Sequence, residues 1–490
     1  MSAYSQLCDL NREIGLLGSM DAVLGWDQET FMPDKGLDHR AKQLAYLSGK
    51  AHALATSARM GRLLDKAEKE PADSDRTGSN LRQWRWQVDR AHRIPAKLVT
   101  EESTVTSHAK AAWASARKKS DFPAFAPHLA KVVEIARRKA DLWGFEDEPY
   151  DALLINYERG ARTRDVGALF DRLKPELTEI ARKAVARSAR RKTNILRGTF
   201  PIEKQQILNR EIAESLGFDF EAGRIDTTTH PFCTTLGPDD VRLTTRYDER
   251  DFTSSLFGVM HEAGHGLYEQ GLVSDDFGLP SGQAVSLGIH ESQSRLWENH
   301  VGRSLPFWKR WFPRALELFP SLRKVTLREF MDFVHRSAFS FIRVEADEAT
   351  YDLHILLRFA IERRLLKGDL AIADVPAAWN AAFEELFGLT PPDDTHGCLQ
   401  DIHWSMGGLG YFATYTLGNL NAAQLFGTAM KRKPIATAFE KADYAPLLKW
   451  LQQKVHIHGG TYDPAELMKK ATGKATNAKW HLEHLRKRFA

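Results

Sequence analysis

The chain has 490 residues, of which 43% are hydrophobic and 27% charged, with 68 Lys+Arg against 64 Asp+Glu. That composition excludes collagenous, mucin-like and disordered proteins, and a chain this long buries a core that needs neither disulfides nor a metal to hold it. The formal net charge of +4 is small for the size, so no nucleic-acid partner is expected.

From the N-terminus, residues 1–15 are polar and charged where a signal peptide needs an apolar run. Cys8, Cys233 and Cys398 stand too far apart for a CxxC pair, and a cytoplasmic protein is expected. Apolar residues at three and four spacing, among abundant Ala, Leu, Arg and Glu, run through residues 162–191 and 328–367. The protein is therefore expected to be mainly helical. The basic run Arg187, Arg190, Arg191 and Lys192 reads as a solvated helix face. Strand patterning is confined to residues 224–247, where Ile225 to Thr229 and Val241 to Thr245 flank the turn-rich Leu236-Gly237-Pro238-Asp239. A small β-ribbon or hairpin is predicted there. Residues 404–430 carry no charge, but Gly407, Gly408, Gly410, Asn419, Asn421 and Gln424 make them too polar for a membrane span. They read as a buried helix and loop, and no membrane partner is expected. His456 and His458 precede Gly459-Gly460 and read as a turn.

The most informative run is His261-Glu262-Ala263-Gly264-His265. Side chains four apart on a helix share a face, so both histidines can reach one cation with Glu262 beside it, the HExxH arrangement of zincins. Leu256, Val259, Met260, Ala263 and Leu267 form an apolar stripe opposite, Ser254 and Gly258 leave room on the histidine side, and Gly271 can cap the helix end. A catalytic zinc commonly takes three protein ligands. Glu291 lies 26 residues past the second histidine on a predicted second helix through residues 290–298, which suits an antiparallel return past the metal. Glu298 and Asp275 are the rival ligands, and His290 would point a quarter turn away.

With these residues in place, the chain resembles the carboxypeptidase Taq family of metallocarboxypeptidases. The likeness rests on His230-Pro231-Phe232, on Asp240-x-Arg242-x-Thr244, on the HExxH run and on His290-Glu291-Ser292-Gln293-Ser294-Arg295. It continues through Arg343-x-x-Ala346-Asp347, through Gly397-x-x-Gln400-Asp401-x-His403-Trp404, and at the N-terminus through Trp26-Asp27-Gln28-Glu29-Thr30-Phe31-Met32-Pro33. The resemblance implies a large helical, two-lobed domain around a deep groove, similar to neurolysin and angiotensin-converting enzymes, with a small β-ribbon beside the site. It also implies a homodimer with one divalent metal per subunit, zinc before cobalt or manganese, and it sets His403 among the catalytic residues. A single domain over 1–490 is expected, with a groove-forming lobe over roughly 1–200 and a metal-bearing lobe over 201–490.

The expected chemistry is removal of C-terminal amino acids from peptides with broad specificity. Glu262 is the natural general base, taking a proton from water activated by the metal. A neutral phenol suits the developing oxyanion, and Tyr411 and Tyr415 are the candidates. Arginine suits a terminal carboxylate because its planar fork binds it bidentately. Arg343, read as lying on a mostly buried helix, is the first choice, with an internal ion pair to Asp347 as the other reading. Arg242 and His230, on the ribbon, are expected to contact the substrate. A metallo-oligoendopeptidase and a non-catalytic peptide-binding protein are the rival functions.

Overall fold

The computed structural model describes residues 2–191 and 193–489, so Lys192 of the basic run lies outside the described residues. The chain forms two compact units that alternate along the sequence. The first comprises residues 1–91, 194–331 and 421–475, and the second 92–193, 332–420 and 476–490. The lobes expected at 1–200 and 201–490 are thus replaced by interleaved segments. The N-terminal helix belongs with the helices that carry His261, His265 and Glu291, because it packs on the sheet that precedes them.

In the first unit, the helix Ala3–Thr30 packs against a three-stranded sheet of β1 (Gly223–Thr227), β2 (Cys233–Gly237) and β3 (Asp240–Thr245). The order is β1-β3-β2, with β1 parallel and β2 antiparallel to β3. The predicted two-strand ribbon is therefore corrected. Its two runs became parallel neighbours, and the short Cys233–Gly237 segment supplies the hairpin partner of β3 through the turn Pro238-Asp239. Asp239 takes φ +61°, which an Asp tolerates after a proline in a tight turn.

β3 leads into the helix Phe252–Glu269, capped by Asp251, whose carboxylate accepts the Thr253 amide at 2.9 Å. Its stripe of Leu256, Val259, Met260, Ala263 and Leu267 is at most 2% exposed, and each full-sized side chain there contributes roughly 1.5 to 3 kcal/mol by leaving water. The helix ends at Gln270, not at a glycine cap. Gly271 serves close packing instead, since a Cβ there would lie 2.4 Å from the His456 ring. The helix Leu287–Arg295, capped by Ser286, follows and continues into a π-helical stretch, Leu296–Gly302. His456 and His458 fall in an irregular segment containing Gly459 at φ +45°, in line with the expected turn.

In the second unit, the helices Ala96–Lys119, Phe122–Trp143 and Thr163–Ala189 and the helix Tyr351–Lys367 share a core with Trp379, Phe383, Leu482 and Phe489. The long helix predicted over 328–367 is broken. A helix spans Leu327–Val334, an irregular stretch with one 3-10 turn at Arg343–Glu345 follows, and regular helix resumes at Tyr351. Asp347 explains the break, because its carboxylate accepts the amides of Ala338 (2.9 Å) and Ala349 (3.0 Å) and the Thr350 hydroxyl (3.1 Å). Such side-chain bonds compete with the helical ladder. Residues 404–430 form a turn, a glycine loop and the helix Ala413–Met430, and no helix among the described residues is long and apolar enough to cross a membrane.

Candidate active site

In the first unit, the helices Phe252–Glu269 and Leu287–Arg295 meet at Gly264. A Cβ there would lie 2.6 Å from the Gln293 carbonyl oxygen and the Ser294 Cα, so only glycine admits this approach. The contact brings Glu291 to the histidines, with its Oε2 3.6 Å from His261 Nε2 and 3.5 Å from His265 Nε2. Two ligands about 2.1 Å from one ion at a tetrahedral angle stand roughly 3.4 Å apart. The donor set, two imidazole nitrogens and one carboxylate oxygen within 4.8 Å of one another, therefore fits a single divalent cation.

The carboxylates around this point are held by two arginines. Arg295 donates to Glu291 Oε1 at 2.7 Å and to Glu298 Oε2 at 3.3 Å, and Arg303 donates to Glu298 Oε1 at 2.9 Å. Glu298 sits on the far side of His261 from Glu291, 3.0 Å from His261 Nδ1, and so orients that ring. Burial opposes its charge, yet the bond to His261 and the two arginines hold its carboxyl down at about 2. His290 is not among the converging groups, but its Nδ1 lies 2.6 Å from His265 Nδ1, closer than the quarter-turn argument placed it. Asp275 lies apart, in the turn Ser274–Asp276, where its carbonyl accepts from Arg12. Burial keeps His265 neutral, lowering it to about 3. Desolvation also opposes charge on half-buried His261, but the neighbouring carboxylates Glu291 and Glu298 prevail and raise it. Burial raises Glu262 to about 7, with His261 drawing it down and Glu291 pushing it up.

Of the two ribbon residues, His230 is exposed between β1 and β2. The Arg242 fork bonds Asp240 at 2.8 and 2.9 Å and stacks 4.3 Å over the Trp26 ring, which docks the end of the N-terminal helix on the sheet.

The second unit gathers a different cluster. Arg343 is 5% exposed, but it lies in a turn and its partner is Asp401, not Asp347. Its Nε and Nη2 reach Asp401 Oδ1 at 3.0 and 2.8 Å, and its Nη1 donates to the Tyr351 hydroxyl at 2.9 Å. Arg358, fully buried, donates to the other oxygen of Asp401 at 2.7 Å. Burial opposes the Asp401 charge, but two guanidinium groups keep its carboxyl far below the usual range. The Tyr415 ring stands 5.0 Å from the Arg343 guanidinium, and its hydroxyl meets His403 Nε2 at 3.4 Å. Tyr411 packs 5.2 Å from the His403 ring and 5.4 Å from Tyr415. Burial and the two arginines lower His403 to about 4, so its ring is neutral. Arg343, His403, Tyr411 and Tyr415 thus come together. Asp401, Arg358, Tyr351, Glu298 and His290 complete the two clusters, and sequence reasoning gave none of them these roles. Arg295, four residues after Glu291, was the one local signal of a held carboxylate.

The sequence matches the carboxypeptidase Taq (M32) metallopeptidase family over residues 6–489. It is 42% identical to thermostable carboxypeptidase 1 of Thermus thermophilus across 100% of this chain and 98% of that protein, and 36% identical to carboxypeptidase 1 of Bacillus subtilis across 98% and 97%. Its structure matches that of the M32 carboxypeptidase from Deinococcus radiodurans R1 with a TM-score of 0.96 at 39% identity, covering 99% of this chain and 98% of that one. Pyrococcus furiosus carboxypeptidase also matches, with a TM-score of 0.96 at 36% identity and coverage of 100% and 99%. With a match of this extent, the chain belongs to the carboxypeptidase Taq (M32) family of metallopeptidases.

Proposed function

We propose that this metal-dependent carboxypeptidase releases amino acids from the free C-terminus of peptides with broad specificity, using one divalent ion held by His261, His265 and Glu291. The observation that carries the reading is the convergence of those three donors beside the buried carboxyl of Glu262. Zinc suits two imidazoles and a carboxylate, ahead of cobalt or manganese. When bound, such an ion supplies Lewis acidity to the scissile carbonyl and to the attacking water. Glu262, raised to about 7 by burial, takes the water proton and returns it to the leaving amine. The Tyr415 hydroxyl lies 3.4 Å from the Nε2 of neutral His403; a His403 protonated at Nε2 donates to that oxygen and leaves the phenol proton free, which supports Tyr415, with Tyr411 beside it, as the oxyanion donor.

Arg343 and Arg358 share one carboxylate, Asp401, and so leave one positive charge in a buried setting. That excess supports Arg343 as the group that meets the substrate's terminal carboxylate. Arg242 and exposed His230 are proposed as further substrate contacts. We place the protein in the cytoplasm, supported by its three unpaired cysteines, and as a homodimer, supported by the family resemblance.

The test offers one peptide as the free acid and as the C-terminal amide, with bound metal quantified in parallel. We expect one dication per chain, a ladder of shortened products from the free acid and little from the amide. Internal cleavage of both forms at equal rates would favour an oligoendopeptidase. Metal binding without hydrolysis would favour a peptide-binding protein.

A further inference from the structure

The two histidines that face Glu291 are supported from behind in different ways. His261 meets a carboxylate directly, with its Nδ1 3.0 Å from Glu298. His265 meets another imidazole, His290, at 2.6 Å, and only the far nitrogen of that ring reaches a carboxylate, Glu269, at 2.8 Å. The second oxygen of Glu269 accepts the Thr235 hydroxyl of β2 at 2.8 Å. We propose that Thr235, Glu269 and His290 form a positioning chain that fixes His265 as the Nδ1–H tautomer, leaving its Nε2 lone pair for a divalent cation. The inference rests on the metal reading above.

The direction of the chain follows from counting protons. An ionised carboxylate has none to give, so His290 Nε2 must donate to Glu269. In the proposed chain His290 spends its single N–H on Glu269, so its Nδ1 holds a lone pair and accepts. The proton between the two rings then belongs to His265 Nδ1, and His265 Nε2, which faces Glu291, is left bare. A His290 that donated from both nitrogens would reverse this order and place a proton on the Nε2 that must bind the cation.

The sequence places two of the three parts on the helices that carry the ligands, and Thr235 reaches in from β2. Glu269 follows His265 by four residues on the same helix face, and His290 directly precedes Glu291. One helix therefore delivers a ligand and the support of the other helix's ligand. His290, Glu269 and Thr235 touch no reacting atom in this scheme, so they are positioning residues.

Two readouts besides activity test the chain: zinc affinity by competition with a chelator, and the His265 tautomer in the metal-free protein by long-range 15N–1H NMR. We expect the wild type to show the Nδ1–H form. His290→Phe keeps the ring shape without the acceptor and should weaken zinc about ten- to a hundredfold, with His265 moving to the Nε2–H form. Glu269→Gln, which keeps shape and hydrogen-bonding capacity, should give a smaller loss in the same direction, and it carries the test if His290→Phe does not fold. Zinc affinity within twofold of wild type in the folded variants, or an Nδ1–H tautomer that persists in them, would overturn the chain. A wild type that binds no zinc would overturn the metal reading itself, and with it the chain.

Discussion

The two buried clusters have opposite charge. In the first unit, Glu262, Glu269, Glu291 and Glu298 crowd His261, His265 and His290, with Arg295 and Arg303 bonded to the last two carboxylates. In the second, two arginines share the one carboxylate of Asp401. Buried charge is costly unless it is matched, so a cluster short of positive charge suits a cation and one short of negative charge suits an anion. A dication and a peptide's terminal carboxylate are the two things a metallocarboxypeptidase must hold. The clusters also differ in construction. The first is written at helical spacing on two helices, whereas the second is assembled from a turn at Arg343, a helix at Arg358 and a loop at Asp401.

The largest expected effect lies in the first cluster. Glu262→Gln removes the proton acceptor and keeps the shape, so kcat should fall about 100- to 10,000-fold with metal content unchanged. Near-normal turnover in a metal-replete preparation would end the general-base assignment. In the second cluster, Asp401→Ala leaves two buried guanidinium groups without their shared partner. A loss of about 3 to 5 kcal/mol in stability is expected, and thermal unfolding will show it as a lowered Tm. An unchanged Tm would mean that water or another group compensates the pair.

Arg343→Ala sharpens the comparison further. A charge-assisted contact contributes about 1.5 to 3 kcal/mol, so kcat/KM on a free-acid peptide should drop about ten- to a hundredfold. The drop on the amidated peptide should be much smaller, and Arg343→Lys should restore only part, because lysine lacks the planar fork. Equal losses on both peptides would assign Arg343 to the fold through Asp401. The smallest effect is one of pH. A base must be ionised to act, and Glu262 stands at about 7 without a cation beside it. A bound dication favours the ionised form, so the rising limb of kcat/KM should have its midpoint below 7 and fall about tenfold for each pH unit beneath it. A profile flat down to about pH 4 would remove Glu262 as its source.

The first cluster was more legible in the sequence for a physical reason. Helical periodicity ties His261 to His265 and exposes their common face, and an antiparallel return accounts for Glu291. What the periodicity could not give was the rotation between the two helices. That rotation sets Glu291 before the histidines, Glu298 behind His261 and His290 behind His265. The second cluster was legible only in part. Arg343 stood out as a buried arginine, but apolar spacing suggested a continuous helix where Asp347 captures backbone amides and breaks it. Its true partner lies 58 residues away. The small sheet was misread because parallel pairing of β1 with β3 leaves no local turn signal, while β2 is only five residues long.

The alternation of the two units along the chain bears on how the protein is made. Synthesis runs from the N-terminus, yet the first unit lacks residues 421–475 until late, and the second closes only with residues 476–490. The last helix, Lys479–Phe489, inserts Leu482, Leu485 and Phe489 into the core of its unit and sets His481 2.7 Å from buried Asp352. Neither unit can therefore complete its core until these late segments are made, and apolar surface of the second waits for the helix Lys479–Phe489. A chain stopped at residue 475 would leave the second unit with an open core, a substrate for chaperones and proteases rather than a shortened enzyme.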